Sequence, residues 1–177
     1  MILTGPEIAR QVSLGRIELS PFEEQNINPN SYNVHLGPTI TRYKEKVLDS
    51  AYPNPTYEEE IPSEGLLIQP DQLYLGSIAE RIGSNHYVPI IKGRSSVARL
   101  GLFIVITADL VDQGAFGNWT LQLHAVQPMR IYAGMPIAQI TFWCVDGRPM
   151  LYSGKYQGSS GPVASKSWQD AFFAEKS

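Results

Sequence analysis

A chain of 177 residues with 43% hydrophobic and 18% charged residues has the composition of a globular protein with a real core, not of a disordered segment. Its formal net charge of -3 excludes broad electrostatic binding to nucleic acid, which needs a basic face. A small polyanion is not excluded, because a few well-placed Arg and Lys side chains can hold a triphosphate inside an acidic protein.

The opening Met1-Ile-Leu-Thr-Gly-Pro-Glu7 has no basic start and no long apolar core, and no apolar run reaches membrane-spanning length. A cytoplasmic protein without a membrane partner is therefore expected. Thr4, Pro6 and Glu7 read as the cap, first turn and capping-box acid of a helix that carries Ile8, Val12 and Leu14 and stops at Gly15. Ile17-Glu-Leu-Ser-Pro21 reads as a short strand broken by proline, and Ser31-Tyr-Asn-Val-His-Leu36 alternates as a strand should. Residues 44–64 turn polar and proline-rich, which predicts a surface loop.

Short apolar runs then follow at close spacing, over 65–68, 72–75, 87–91, 102–106, 119–124, 129–132 and 137–143. Gly, Pro, Asn or Asp punctuates nearly every gap. Many short strands with few helical windows predict one mainly β domain over 1–177, a barrel or jelly roll with a short N-terminal helix. The single cysteine, Cys144, lies within the apolar run Ile140–Val145 and is expected to be a small buried hydrophobe rather than a nucleophile. Residues 154–177 read as a C-terminal tail. Its first part, Gly154-Lys-Tyr-Gln-Gly-Ser-Ser-Gly161, is small and polar and must either dangle or close over something, and Ser165 to Phe173 suits a short helix.

Three segments could carry chemistry. Gly93-Arg-Ser-Ser-Val-Ala-Arg-Leu-Gly101 offers two fixed cations, Arg94 and Arg99, and two hydroxyls, Ser95 and Ser96, all suited to phosphate oxygens. The bland alternative is a short surface helix with a solvated Arg pair. Thr107 to Gly117 is an Asp- and Gly-rich turn whose acids are Asp109 and Asp112. On the strand that begins at Trp119, Gln122 shares a face with Thr120 and His124. His35, His86 and His124 show no zinc spacing, so no metal held by side chains is expected.

Taken in order, these motifs resemble the dCTP deaminase branch of the dUTPase superfamily. The resemblance rests on Met1-Ile-Leu-Thr-Gly5, Asn28-Pro-Asn-Ser-Tyr-Asn-Val-His-Leu-Gly37, Gly93-Arg-Ser-Ser-Val-Ala-Arg-Leu-Gly-Leu102 and Gly154 to Gly161, and is weakest across 44–64. It implies a distorted β-barrel or jelly roll of the dUTPase-like type, assembled as a homotrimer with sites at subunit interfaces. The implied ligand is a deoxypyrimidine triphosphate carried with Mg²⁺. Arg94, Ser95 and Ser96 are similar to the family's phosphate contacts, Arg99 to an arginine that supports the catalytic group, and Ala108 to a residue whose backbone meets the base. Asp112 matches an acid that contacts the deoxyribose in deaminases and orients water in dUTPases. Lys155 matches a lysine that contacts the triphosphate, and Tyr152 and Ser159 complete the implied nucleotide-binding set. The implied catalytic set is Asp112, Gln122, Arg99 and Ser95.

The chain also departs from the pattern. Gln122 stands where deaminases of this family carry the glutamate that shuttles a proton from water to the leaving amine. An amide can orient water but cannot accept its proton. Leu110 replaces an arginine, and Ser159 a phosphate-contacting glutamine, found in many relatives. Three readings follow: a dUTP-type diphosphate hydrolase at Asp112, which this chemistry favours; a dCTP deaminase releasing ammonia; and a non-catalytic deoxynucleotide-binding regulator.

Overall fold

The computed structural model describes residues 1–174. Helix α1 (Gly5–Ser13) opens the chain. Strands β1 (Glu18–Ser20), β2 (Ile27–Asn28), β3 (Ser31–His35), β4 (Thr39–Tyr43), β5 (Thr56–Glu60) and β6 (Leu66–Ile68) follow. Then come β7 (Tyr74–Ser77), β8 (Arg81–Gly83), β9 (Tyr87–Gly93), the one-turn helix α2 (Ser95–Ala98) and β10 (Leu102–Phe103). Strands β11 (Thr120–Ala125), β12 (Met129–Ile131) and β13 (Pro136–Cys144) complete the sheets, and α3 (Ala171–Ala174) lies in the tail. The architecture is mainly β with a short N-terminal helix, as the punctuated apolar runs predict.

All strand pairing is antiparallel. A five-stranded sheet runs β10-β11-β7-β4-β5, a four-stranded sheet runs β2-β3-β13-β9, and β1-β8 and β12-β6 form two small ribbons. Isolated bridges from Leu36 to Ile78, Ile82 to Gly117 and Ile90 to Leu110 tie these pieces together. Alternation decides what faces inward. In β11, Leu121, Leu123 and Ala125 are fully buried, while Thr120, Gln122 and His124 keep partial exposure on the other face. Tyr32, Ile40, Ile78, Ile140 and Phe142 join them in one core, each large side chain contributing about 1.5–3 kcal/mol by burial.

Several local expectations fail for identifiable reasons. Thr4 occupies the N-cap of α1 but its side chain makes no capping bond. The Glu7 carboxylate accepts instead from Arg10 Nε at 2.9 Å, Arg10 Nη2 at 2.7 Å and Gln11 Nε2 at 2.5 Å. Those bonds, Arg10's first, pull its carboxyl down to about 2; a charge-assisted pair has displaced the capping box. The stretch 44–64 is not loop throughout, because Thr56–Glu60 forms edge strand β5 beside β4. Cys144 is exposed, not buried, since it ends β13 where the sheet runs out. Of the run 102–106 only Leu102–Phe103 is strand, and the expected helix over 165–173 reduces to a 3-10 turn at Ser167–Gln169 followed by α3. Residues 175–177 of the tail lie outside the described residues. No described helix is long and apolar enough to cross a membrane.

Candidate active site

The backbone from β9 to β11 makes a hairpin-like excursion that builds most of the site. Strand β9 ends at Gly93, α2 turns the chain, and β10 pairs back on β11 through Leu102–Ala125 and Phe103–His124. The acidic loop then returns alongside β9, with Ile91 N–H donating to Asp109 O at 3.0 Å and Val111 N–H to Pro89 O at 3.1 Å. Lys92 clamps this return through an ion pair with Asp109. The hydrogen bond from Lys92 holds the Asp109 carboxyl below the usual carboxylate range. Asp109 is thereby committed to structure, which leaves Asp112 as the loop's exposed acid.

The tail forms the roof. From Tyr152 to Val163 it is tied to 113–120 of its own chain. Tyr152 N–H donates to Gln113 O at 2.8 Å, Gly158 N–H to Phe116 O at 2.9 Å, and Asn118 N–H to Ser159 O at 2.9 Å. Gln157 makes two bonds, accepting from Phe116 N–H at 2.9 Å and donating to Gly114 O at 2.8 Å. Val163 N–H donates to Thr120 Oγ1 at 2.9 Å. The close approach requires glycine at 117: its φ is 152°, and a Cβ there would sit 2.7 Å from Ser159 O.

Between loop, β11 and tail lies a cavity of about 390 Å³. Of the residues singled out from sequence, Ala108, Asp112, Gln122, Tyr152 and Ser159 line it. Arg94, Ser95, Ser96, Arg99 and Lys155 do not. Arg94 Nη1 reaches Pro136 O at 3.4 Å, and Ser95, Ser96 and Arg99 are exposed on α2. Lys155 is ion-paired with Asp170, whose hydrogen bond raises the lysine's pKa above its ordinary value. Gln122 Nε2 makes only a long bond, 3.3 Å, to Thr120 O.

Thr120 and Leu110, also named from sequence, line the cavity too, whereas sequence reasoning passes over Leu75, Phe116, Trp119, Tyr156 and Val163, which share the lining. Their signal is faint. Aromatic and apolar residues beside a strand read as core, and only the neighbourhood of Tyr156 to Lys155 in a Gly- and Ser-rich tail hints at a wall. Phe116 owes its place to Gly83, where an added Cβ would lie 2.1 Å from the phenyl ring.

Comparison with known proteins identifies the family. A family model described as dCTP deaminase-like matches residues 2–145. A Clostridium botulinum (strain Eklund 17B) protein named "dCTP deaminase, dUMP-forming" is 46% identical over 171 residues, 96% of this chain and 98% of its own length. A Leptospira biflexa protein of the same name is 43% identical over 96% of this chain and 98% of its own. A Rhodopirellula baltica "dCTP deaminase" is 48% identical over 90% of this chain and 81% of its own. Among solved structures, the 2'-deoxycytidine 5'-triphosphate deaminase of Agrobacterium tumefaciens superposes with a TM-score of 0.63 at 19% identity. That match covers 80% of this chain but only 47% of the solved one, and it supports the fold. With the family model spanning most of the chain and relatives this similar over nearly all of it, the chain belongs to the dCTP deaminase-like family.

Proposed function

We propose that this chain is a hydrolase of deoxypyrimidine triphosphates that releases diphosphate and leaves the monophosphate, with Asp112 activating the attacking water. One observation carries the reading: Asp112 is the single carboxylate among the side chains that line the cavity, and β11 offers it the amide of Gln122. In the proposed step a water oxygen attacks the α-phosphorus, the bond from that phosphorus to the bridging oxygen breaks, and Asp112 takes the water's proton. Deamination asks for more. Water must add at C4 of the base and ammonia must leave, which needs one group to accept a proton and return it. Gln122 has no such chemistry. Names that join deamination to dUMP formation describe two hydrolyses, and the carboxylate of Asp112 supports the second.

Magnesium belongs to this reading through the substrate. Among the described residues no three His, Cys, Asp or Glu side chains gather as ligands. A lone carboxylate fits an ion that arrives on phosphate oxygens and keeps most of its water, with Asp112 the residue that would meet it. Such an ion neutralises charge on the departing diphosphate. The cations on and beside α2 stand outside the cavity of their own chain, so the reading assigns Arg94, Ser95, Ser96 and Arg99 to the site of a second copy, in a homotrimer with shared sites.

The test is product analysis of dUTP, dCTP and dTTP incubated with the natural protein and Mg²⁺. Diphosphate and monophosphate from dUTP, without ammonia from dCTP, are expected. No diphosphate from any of the three overturns the reading. The 43–48% identity to proteins named for dCTP deamination favours a second reading, ammonia release despite Gln122; a dCTP-dependent ammonia signal in the same assay establishes it. Triphosphate binding with no product leaves a regulator.

A further inference from the structure

The wall of the cavity holds a polar group with nothing to bind. Trp119 is 9% exposed, and its indole Nε1–H is buried without a hydrogen-bond partner. The other such atoms among the described residues belong to Gln11, Asn28 and Thr41, none of which lines the cavity. Native proteins leave few buried donors unpaired, because the group has lost water and gained nothing. A donor of this kind in the wall of a ligand cavity is therefore a mark of the ligand.

The tail is bonded to the residues on either side of Trp119. Trp119 stands between Asn118 and Thr120, and both neighbours are tied to the tail, Asn118 N–H to Ser159 O and Val163 N–H to Thr120 Oγ1, each at 2.9 Å. Ser159 and Val163 also line the cavity. As it stands the N–H is closed to the cavity, so a ligand reaches it only when the wall around it moves.

The surroundings select the acceptor. Leu75, Phe116 and Val163 are among the apolar residues that share the lining with Trp119. A phosphate oxygen would give up strong hydration for one neutral donor, whereas a carbonyl oxygen gives up little. We propose that Trp119 is a specificity-determining residue whose indole N–H donates to a carbonyl oxygen of the pyrimidine base. The proposal rests on the triphosphate reading of the cavity and names the part of the ligand that this wall recognises.

Calorimetry with the α,β-imido analogue of dUTP tests it, on the natural protein and on Trp119→Phe. The variant keeps an aromatic ring but loses the donor and the bulk of the indole's second ring. It should bind about tenfold more weakly, the loss expected for one neutral hydrogen bond, and its melting temperature should fall because the smaller ring leaves a void in the core. The 2-thio and 4-thio versions of the analogue provide a readout that needs no variant, since sulfur is a poor acceptor. The natural protein should bind one of them about tenfold more weakly than the oxygen parent, and Trp119→Phe should lose that discrimination. Equal binding of both thio analogues to the natural protein overturns the proposal, as does Trp119→Phe binding within about twofold of the natural protein. A tryptophan that only packs the core would lower the melting temperature in the same way when replaced, but would leave any thio discrimination unchanged. If the natural protein binds no triphosphate analogue, the reading of the cavity itself falls.

Discussion

A single atom at position 122 separates two chemistries. A carboxylate there accepts a proton; the amide that this chain carries does not. Gln122→Glu is therefore expected to raise ammonia release from dCTP by about 10²–10⁴-fold, the usual contribution of a positioned general base. Equal rates in an ammonia assay of the two proteins would show that residue 122 takes no part in proton transfer. Asp112→Asn is the converse experiment. Diphosphate release from dUTP should fall by about 10²–10³-fold, with the melting temperature nearly unchanged, because Asp112 is exposed. A variant that retains full turnover would move the catalytic role elsewhere. Asp112 and Gln122 entered the sequence reading through the family resemblance, because an Asp- and Gly-rich turn and a polar position on a strand are each ordinary by composition alone. Trp119 did not enter it: an apolar aromatic beside a strand reads as core until its N–H is seen without a partner.

The elements that hydrophobic patterning predicts are those with one dry face. Strand β11 is legible because Leu121, Leu123 and Ala125 alternate with polar residues. Strand β5 was invisible because it lies on the sheet edge, reads Thr-Tyr-Glu-Glu-Glu, and is held by backbone pairing and by Arg42, whose Nη1 is 3.3 Å from Glu59 Oε1. Its acidic character suits an edge that must not recruit another strand. The tail illustrates the same limit, since its bonds to 113–120 run between polar backbone groups that leave no periodicity. Gln157→Ala removes two of those bonds and should speed hydrogen exchange in 152–163 while leaving β11 protected; uniform exchange across both would mean that the tail is not a separate unit. The Lys155–Asp170 contact adds a pH term. Because Asp170 raises the lysine's pKa, its contribution is fully present below the ordinary lysine value and is lost only as pH rises through the raised one. Tail protection by this contact should hold across neutral pH and fall in strong alkali, whereas Asp170→Asn should release it at pH 7. Proteolysis rates measured against pH in the two proteins decide between these outcomes.

At the scale of the whole molecule the cavity is half furnished. It contains a carboxylate, an amide and aromatic walls, but no Arg or Lys lines it, although its proposed ligand carries a triphosphate. The cations expected for that task, Arg94 and Arg99, stand on an exposed turn of the same chain. The proposed ring of copies would resolve the mismatch by bringing the turn of one subunit to the cavity of the next. This arrangement has a consequence that no single-chain site shares. Ser95→Ala damages the turn, Asp112→Asn damages the cavity, and assemblies made purely of either variant should be inactive. When the two are unfolded together and refolded as a mixture, some interfaces join an intact cavity from the Ser95→Ala chain to an intact turn from the Asp112→Asn chain. Random assembly of equal amounts restores about a quarter of the sites in a cyclic ring. Diphosphate release near that fraction of the natural rate, appearing only after joint refolding, would show that the two halves come from different subunits. If the mixture stays as inactive as its parents while mixed assemblies are seen by native mass spectrometry, each chain supplies both halves itself, and α2 must then move toward its own cavity when the ligand binds.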